Sequence, residues 1–225
     1  MTEKDLRNKV VKTAERYLGA KQGSKKHREI VDVFNKIKPD GWPMNYVAAW
    51  CACFASAITI IVFGVAKAKK YFPLSANCGT IVEKAKKLKI WEENDNYIPK
   101  PGDWIVYDWD DSGRGNNYGS PDHVGIVKSA NSNLIVAIEG NAGNPSAVRE
   151  RRIARGGRFI RGFVTPDYKA IAAPPKPKKK TVTQIAKEVL EGKWGNGEDR
   201  KKKLKAAGYD YEAVQKKVNA LMAKK

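Results

Sequence analysis

The chain has 225 residues, 42% of them apolar, with six tryptophans, which is enough for a packed core and excludes disorder throughout. That length holds one domain of ordinary size and a small extra module. A formal net charge of +19 calls for an anionic partner, and it is spread out, with 16 Lys/Arg against 6 Asp/Glu in residues 169–225 alone.

Apolar residues at helical spacing predict helices over 3–18 and 27–37. A third helix is expected to start at or just after Cys51 and to run through Ile61. A fourth is expected over 78–88, capped by Ser75, Ala76 and Asn77. After Pro101-Gly102-Asp103 the pattern changes to strand-like runs at 104–107, 124–127, 134–138 and 159–164, separated by Gly, Asn and Ser turns. Helices followed by antiparallel strands give an α+β architecture. Residues 171–181 read as a linker rich in Pro and Lys between a body, 1–170, and a tail, 182–225. In the tail three short helices are expected, over 182–190, 199–206 and 211–222, with turns at 192–197 and 208–210.

No apolar stretch approaches the ~18 to 20 residues that span a bilayer. The longest, 55–66, reads as a buried helix, so no membrane span is expected. The first residues, Met1-Thr2-Glu3-Lys4-Asp5, lack the apolar core of a secretory signal, so synthesis as a soluble cytoplasmic protein is expected. Three cysteines, all in one half, suit free thiols better than a disulfide framework or a zinc site.

The chemistry gathers in three strings: Trp50-Cys51-Ala52-Cys53-Phe54, Asp122-His123-Val124-Gly125, and Glu139-Gly140-Asn141. A thiol becomes a nucleophile when its pKa is lowered, and a helix N-terminus beside an imidazole does this. Cys51 stands at the expected start of an apolar helix. Only two histidines are present, and His27, among lysines, reads as a solvated surface residue, which leaves His123 as the general base. Glu139 or Asn141, at the end of the next strand, is placed to hold the imidazole in its useful tautomer. Asn45, six positions before Cys51, is a candidate donor to an oxyanion. Cys53 and Cys78 read as small core residues. The run Asp108-Trp109-Asp110-Asp111-Ser112-Gly113 has the oxygen-rich spacing of the first half of a calcium loop, but Gly119 stands where the closing carboxylate belongs. Neither a metal nor a cofactor is expected.

These strings, with Pro101-Gly102-Asp103, resemble the CHAP family of cysteine, histidine-dependent amidohydrolases and peptidases over residues 5–168, and most closely its phage endolysin versions. The resemblance implies a papain-like fold, cleavage of peptidoglycan amide bonds through a thioester, and Cys51, His123, Glu139 and Asn141 as catalytic residues. The bond would be that of an N-acetylmuramoyl-L-alanine amidase or of a peptide endopeptidase. The tail, through Gly192-Lys193-Trp194-Gly195-Asn196-Gly197, Arg200 and Gly208-Tyr209-Asp210-Tyr211, resembles a Cpl-seven-type wall-binding repeat. It implies a three-helix bundle with Trp194, Gly195, Asn196, Arg200, Tyr209 and Tyr211 toward muropeptide. Peptidoglycan in an anionic cell wall is therefore the expected partner, reached after release from the host cytoplasm. One copy of a repeat usually found in tandem leaves oligomerisation open. Two rival readings are a wall-binding protein without catalysis and a basic nucleic-acid-binding protein. The second is disfavoured by the lack of a reader motif.

Overall fold

Helix α1 (Glu3–Glu15) opens with a capping box, the Thr2 hydroxyl accepting from the Asp5 N–H and the Asp5 carboxylate from the Thr2 N–H. The computed structural model of the chain describes residues 1–38, 43–94, 96–111, 119–173 and 180–223. It divides into two units, Met1–Ala173 and Pro174–Lys225. Most of the expected linker, residues 174–179, lies outside the described residues.

In the first unit α2 (Lys25–Asn35) follows, capped by the Ser24 hydroxyl. Its inward face includes His27, which is fully buried. The expectation of a solvated His27 is therefore wrong. The imidazole packs on Trp50 with ring centroids 4.6 Å apart and accepts from the Gly23 N–H through Nδ1 at 3.1 Å. Lysines on the flanking positions conceal an amphipathic pattern in which residue 27 faces inward.

Helix α3 (Cys51–Tyr71) is longer than expected and changes direction at Gly64, whose φ of 75° no other residue type adopts cheaply. By length and composition it would suffice to cross a membrane, contrary to the expectation that no stretch approached that length. Residues 51–60 are buried on every side, as a helix apolar all round must be when it lies inside a core. It packs against α1, α2 and the sheet. Helix α4 (Cys78–Lys87) is capped by Asn77, whose carbonyl accepts from the Thr80 N–H.

Then come β1 (Trp91–Glu92), β2 (Trp104–Tyr107), β3 (His123–Ala130), β4 (Leu134–Ala142), β5 (Ala147–Ala154) and β6 (Ile160–Val164), closed by the short α5 (Tyr168–Ala172). They form one antiparallel sheet in the order β1-β6-β2-β3-β4-β5. This is the expected α+β class. The two edge strands, β1 and β5, are those that periodicity did not reveal.

The Pro101-Gly102-Asp103 turn has a structural task. The Asp103 carboxylate is fully buried and accepts from Arg7 Nη1 at 2.8 Å, the Tyr97 hydroxyl at 2.7 Å and the Lys100 N–H at 2.8 Å. Arg7 also covers the Tyr168 ring at 4.3 Å, and the Tyr168 hydroxyl donates to the Gly102 carbonyl. This network ties α1, the turn and α5 together, and an added Cβ at Gly102 would lie 2.7 Å from the Tyr168 hydroxyl.

The second unit holds α6 (Val182–Leu190), α7 (Gly197–Ala206) and α8 (Tyr211–Met222) around Ile185, Ala186, Val189, Leu204, Val214 and Val218. Thr181 and Gln184 form a capping box at α6, and Asp210 caps α8.

Candidate active site

The nucleophile candidate is built at a helix start that nothing caps. Trp50 precedes α3 without a side-chain cap hydrogen bond, and the first intrahelical bond runs from the Phe54 N–H to the Trp50 carbonyl. The N–H groups of residues 51–53 are thus left by the helix itself, with the positive end of its dipole, around the Cys51 thiol.

The sheet supplies the imidazole. His123 opens β3 opposite Tyr107 of β2. Its Nε2 lies 3.0 Å from Glu139 Oε2 and donates to it, which leaves Nδ1 for the thiol. Glu139 is fully buried, and an added Cβ at Gly125 would lie 2.8 Å from its Cγ, so the glycine of Asp122-His123-Val124-Gly125 makes room for the carboxylate. Arg151 of β5 closes the set, its Nε 2.8 Å from both Glu139 oxygens and its guanidinium 4.7 Å from the Trp109 ring centre. Trp109 in turn stacks on Tyr107 at 4.7 Å. The buried Tyr107 phenol is pushed well above its ordinary pKa, by desolvation first and by the Glu139 charge second.

The helix layer and the sheet meet closely. An added Cβ at Gly140 would sit 2.5 Å from Phe54 Cβ and 3.0 Å from Trp50 Cε3. No larger residue lets β4 pass this near to the start of α3 without a shift.

A second thiol completes the geometry. Cys78, the first residue of α4, has its Sγ 3.9 Å from Cys51 Sγ, and both cysteines are free. The Cys78 S–H is the largest influence lowering the Cys51 pKa, to about 5; burial opposes it, while His123 and the Ala52 N–H assist. The Cys78 thiol is correspondingly held well above its ordinary value, first by that bond and then by burial. Burial pulls the His123 pKa down, but Cys51 and Glu139 outweigh it and raise it to about 9. Near neutral pH the pair is therefore thiolate and imidazolium. Cys53, also buried, has its thiol pushed up by desolvation and then by the Cys51 charge, and it joins none of this.

Sequence reasoning named Cys51, His123 and Glu139, and the structure brings these three together. It gives Asn141 a different partner. With φ of 57°, Asn141 turns the chain, and its Oδ1 accepts from the Ser146 hydroxyl at 2.8 Å, while Ser146 Oγ accepts from Trp50 Nε1 at 3.0 Å. The imidazole is held by Glu139 instead. Asn45 is likewise engaged locally, its Oδ1 accepting from the N–H groups of Val47 and Ala48 in an Asx turn. Sequence reasoning missed Arg151, which lies on the unread β5, and set Cys78 down as packing. The Asn77 cap was the one available sign that Cys78, like Cys51, begins a helix.

A cavity of about 700 Å³ lies between the end of α2, the 43–48 segment, the 72–77 segment and α4. Phe34 and Phe72 are in its wall with Lys38, Lys69, Lys84 and Lys87, and no carboxylate is among the described residues lining it. Ala48 and Asn77, near neighbours of Cys51 and Cys78 in sequence, are among its lining residues, whereas Cys51, Cys78 and His123 are not. In the acidic run at 108–113, the N–H of Asp110 donates to Asp108 at 3.1 Å, and residues 112–118 lie outside the described residues. Among the described residues no group of three or more His, Cys, Asp or Glu is arranged to hold a metal ion.

In the second unit Trp194 Nε1 donates to Glu188 at 3.1 Å and meets Tyr209 edge to face at 6.1 Å. Arg200 donates to the Gly195 carbonyl, to Asn196 Oδ1 and to Gln215 Oε1, so it fixes the turn against α8. Tyr211 packs on the same core. The residues expected to face muropeptide therefore also build the turn.

A family model described as CHAP domain matches residues 41–141, and one described as CW_7 repeat matches residues 183–222. The chain is similar to a protein named Lysozyme from Streptococcus phage Cp-7, at 52% identity over 42 residues, 19% of this chain and 12% of that protein. The match thus spans only about an eighth of that relative's length.

Proposed function

We propose that this chain, which carries a CHAP domain and a CW_7 repeat, is a peptidoglycan hydrolase of the phage endolysin type. It cuts an amide bond with Cys51 as nucleophile. The observation that carries this reading is the Cys51 thiol at an uncapped helix start, beside an imidazole whose Nε2 is held 3.0 Å from a buried carboxylate. The thiolate attacks the amide carbon, and the resulting oxyanion is met by N–H groups that α3 leaves free at residues 51–53. That role replaces the one first given to Asn45. His123, protonated, passes its Nδ1 proton to the departing amine, and the neutral imidazole then draws a proton from the water that hydrolyses the thioester. Glu139 keeps Nε2–H in place throughout, and Arg151 keeps Glu139 oriented. Asn141 acts through Ser146 and Trp50 on the placement of the thiol. The lysine-bordered cavity suits a stem peptide bearing carboxylates. The second unit holds the enzyme on the wall, raising the local substrate concentration.

Purified Cys51→Ala and His123→Ala proteins, shown by circular dichroism to be folded, are expected to lose wall clearing. Clearing by folded Cys51→Ala defeats the reading. Mass spectrometry of the released fragments assigns the bond: a free amine on L-alanine marks an amidase, and new stem or cross-bridge ends mark an endopeptidase.

A further inference from the structure

The two thiols at the site differ in kind as well as in place. Cys51 and Cys78 each begin a helix, each is nearly buried, and their sulfurs stand 3.9 Å apart although 27 positions separate them. A disulfide needs sulfurs about 2 Å apart, so side-chain rotation over roughly that same distance would join them. Cys53 provides a contrast inside the same helix. Two positions along α3 it points away from Cys51, since residues two apart on a helix do not face each other, and it is fully buried.

We propose that Cys51 and Cys78 are a dithiol oxidised by hydroperoxides, in which Cys78 is the resolving thiol that captures oxidised Cys51 as an intramolecular disulfide. In the first step the Cys51 thiolate attacks the peroxide O–O bond. An S–O bond forms, the O–O bond breaks, and the leaving oxygen takes a proton from the His123 imidazolium and departs as water or alcohol. In the second step Cys78 sulfur attacks the Cys51 sulfenic sulfur. The S–S bond forms, the S–O bond breaks, and the hydroxyl leaves with the Cys78 proton as water. Two thiols lose two electrons and one peroxide gains them. Ionised Cys51 is the partner that attacks the peroxide, and Cys78 gives up its proton as its sulfur attacks, that proton leaving with the hydroxyl as water. Without Cys78 the sulfenic acid would meet further peroxide and pass to the sulfinic acid, which thiol reductants do not reverse. The pairing would make oxidation of the site reversible, and on the reading of Cys51 as nucleophile it would also switch hydrolysis off.

The test uses the full chain and hydrogen peroxide, followed by denaturation in an alkylating agent and mass spectrometry. Apart from one alkyl group on Cys53, wild type is expected to be about 2 Da lighter than the reduced, unalkylated chain, with a peptide joining residues 51 and 78, and dithiothreitol before alkylation is expected to restore alkylation of all three cysteines. Its titratable thiols under denaturant fall from the three in the sequence to Cys53 alone. Cys78→Ala and Cys78→Ser are expected to gain about 32 Da at Cys51, unrecovered by dithiothreitol. Sulfinic Cys51 in wild type at the rate seen in the variants, a link through Cys53, or no link at all overturns the proposal. If the variants do not fold, the wild-type product decides the matter by itself. Formation of the 51–78 disulfide with wall clearing unimpaired would leave the dithiol standing and remove Cys51 as the hydrolytic nucleophile, so the two readings fail separately.

Discussion

Replacing Glu139 by Gln keeps the shape of a fully buried side chain and removes its charge. The carboxylate accepts from His123 Nε2 at 3.0 Å and from Arg151 Nε at 2.8 Å, whereas a Gln amide offers one acceptor and turns an NH2 toward one of those donors. A hydrogen bond between charged groups is worth about 1.5–3 kcal/mol, and 1.36 kcal/mol corresponds to one pKa unit, so the imidazolium should lose about one to two units. The His123 pKa stands at about 9 and that of Cys51 at about 5 in the native protein. The ion pair therefore exists between those limits, and wall clearing should follow a bell whose acid limb is the thiol and whose alkaline limb is the imidazolium. In Glu139→Gln the alkaline limb should move down by about one to two units. The acid limb should stay near its wild-type position, because His123 is still fully protonated there. The assay is the rate of iodoacetamide alkylation at Cys51 across pH, mapped by peptide mass, alongside turbidity of purified walls. A folded Glu139→Gln protein whose alkylation profile superimposes on that of wild type would refute the assignment of Glu139 as the group that keeps His123 charged.

Asp103→Asn should destabilise the first unit by about 1.5–3 kcal/mol, because it removes the buried charge that Arg7 pairs with, although Arg7 keeps Glu3; the midpoint of chemical denaturation measures this, and a loss under about 1 kcal/mol contradicts it. Burial first and the Arg28 charge second lower the His27 pKa, so the unfolded chain takes up a proton that the folded one resists. Stability contributed by neutral His27 is thus present above its ordinary value of 6.5 and is lost as pH falls below it, and denaturation of His27→Gln should show a shallower acid decline than wild type. Charge reversal at Lys38 and Lys69, on the cavity wall, should raise KM for stem peptides with free carboxylates and leave their amidated forms less affected; an equal effect on both sinks the role given to the cavity.

The helices before the cysteine and the inner strands after it were legible because each buries a continuous apolar pattern. Strand β5 was not, since Arg149, Glu150, Arg151 and Arg152 fall in succession and an edge strand keeps one face in water. Arg151 was hidden with it, because its pairing with Glu139 depends on the register of β4 and β5 rather than on any local spacing. Cys78 reads as packing on any local view, and only the meeting of two helix starts 27 residues apart brings its sulfur beside that of Cys51. His27 misled for the opposite reason, a charged neighbourhood hiding an inward-facing position. The length of α3 was underestimated at Gly64, where the chain bends and then resumes the helix instead of ending it.

The passage of β4 over the first turn of α3, which Gly140 permits, gives the site the character of a latch. Both thiols ride on helices, while the imidazole, the carboxylate and the guanidinium ride on the sheet. Neither layer holds a complete set of parts. Any loosening that lets the helices drift from the sheet separates acid from base before a single strand pair has to break. On the proposed reading the chemistry is thus tied to a long-range contact between two layers, and nascent or partly unfolded chains, whatever secondary structure they hold, would carry an unarmed cysteine.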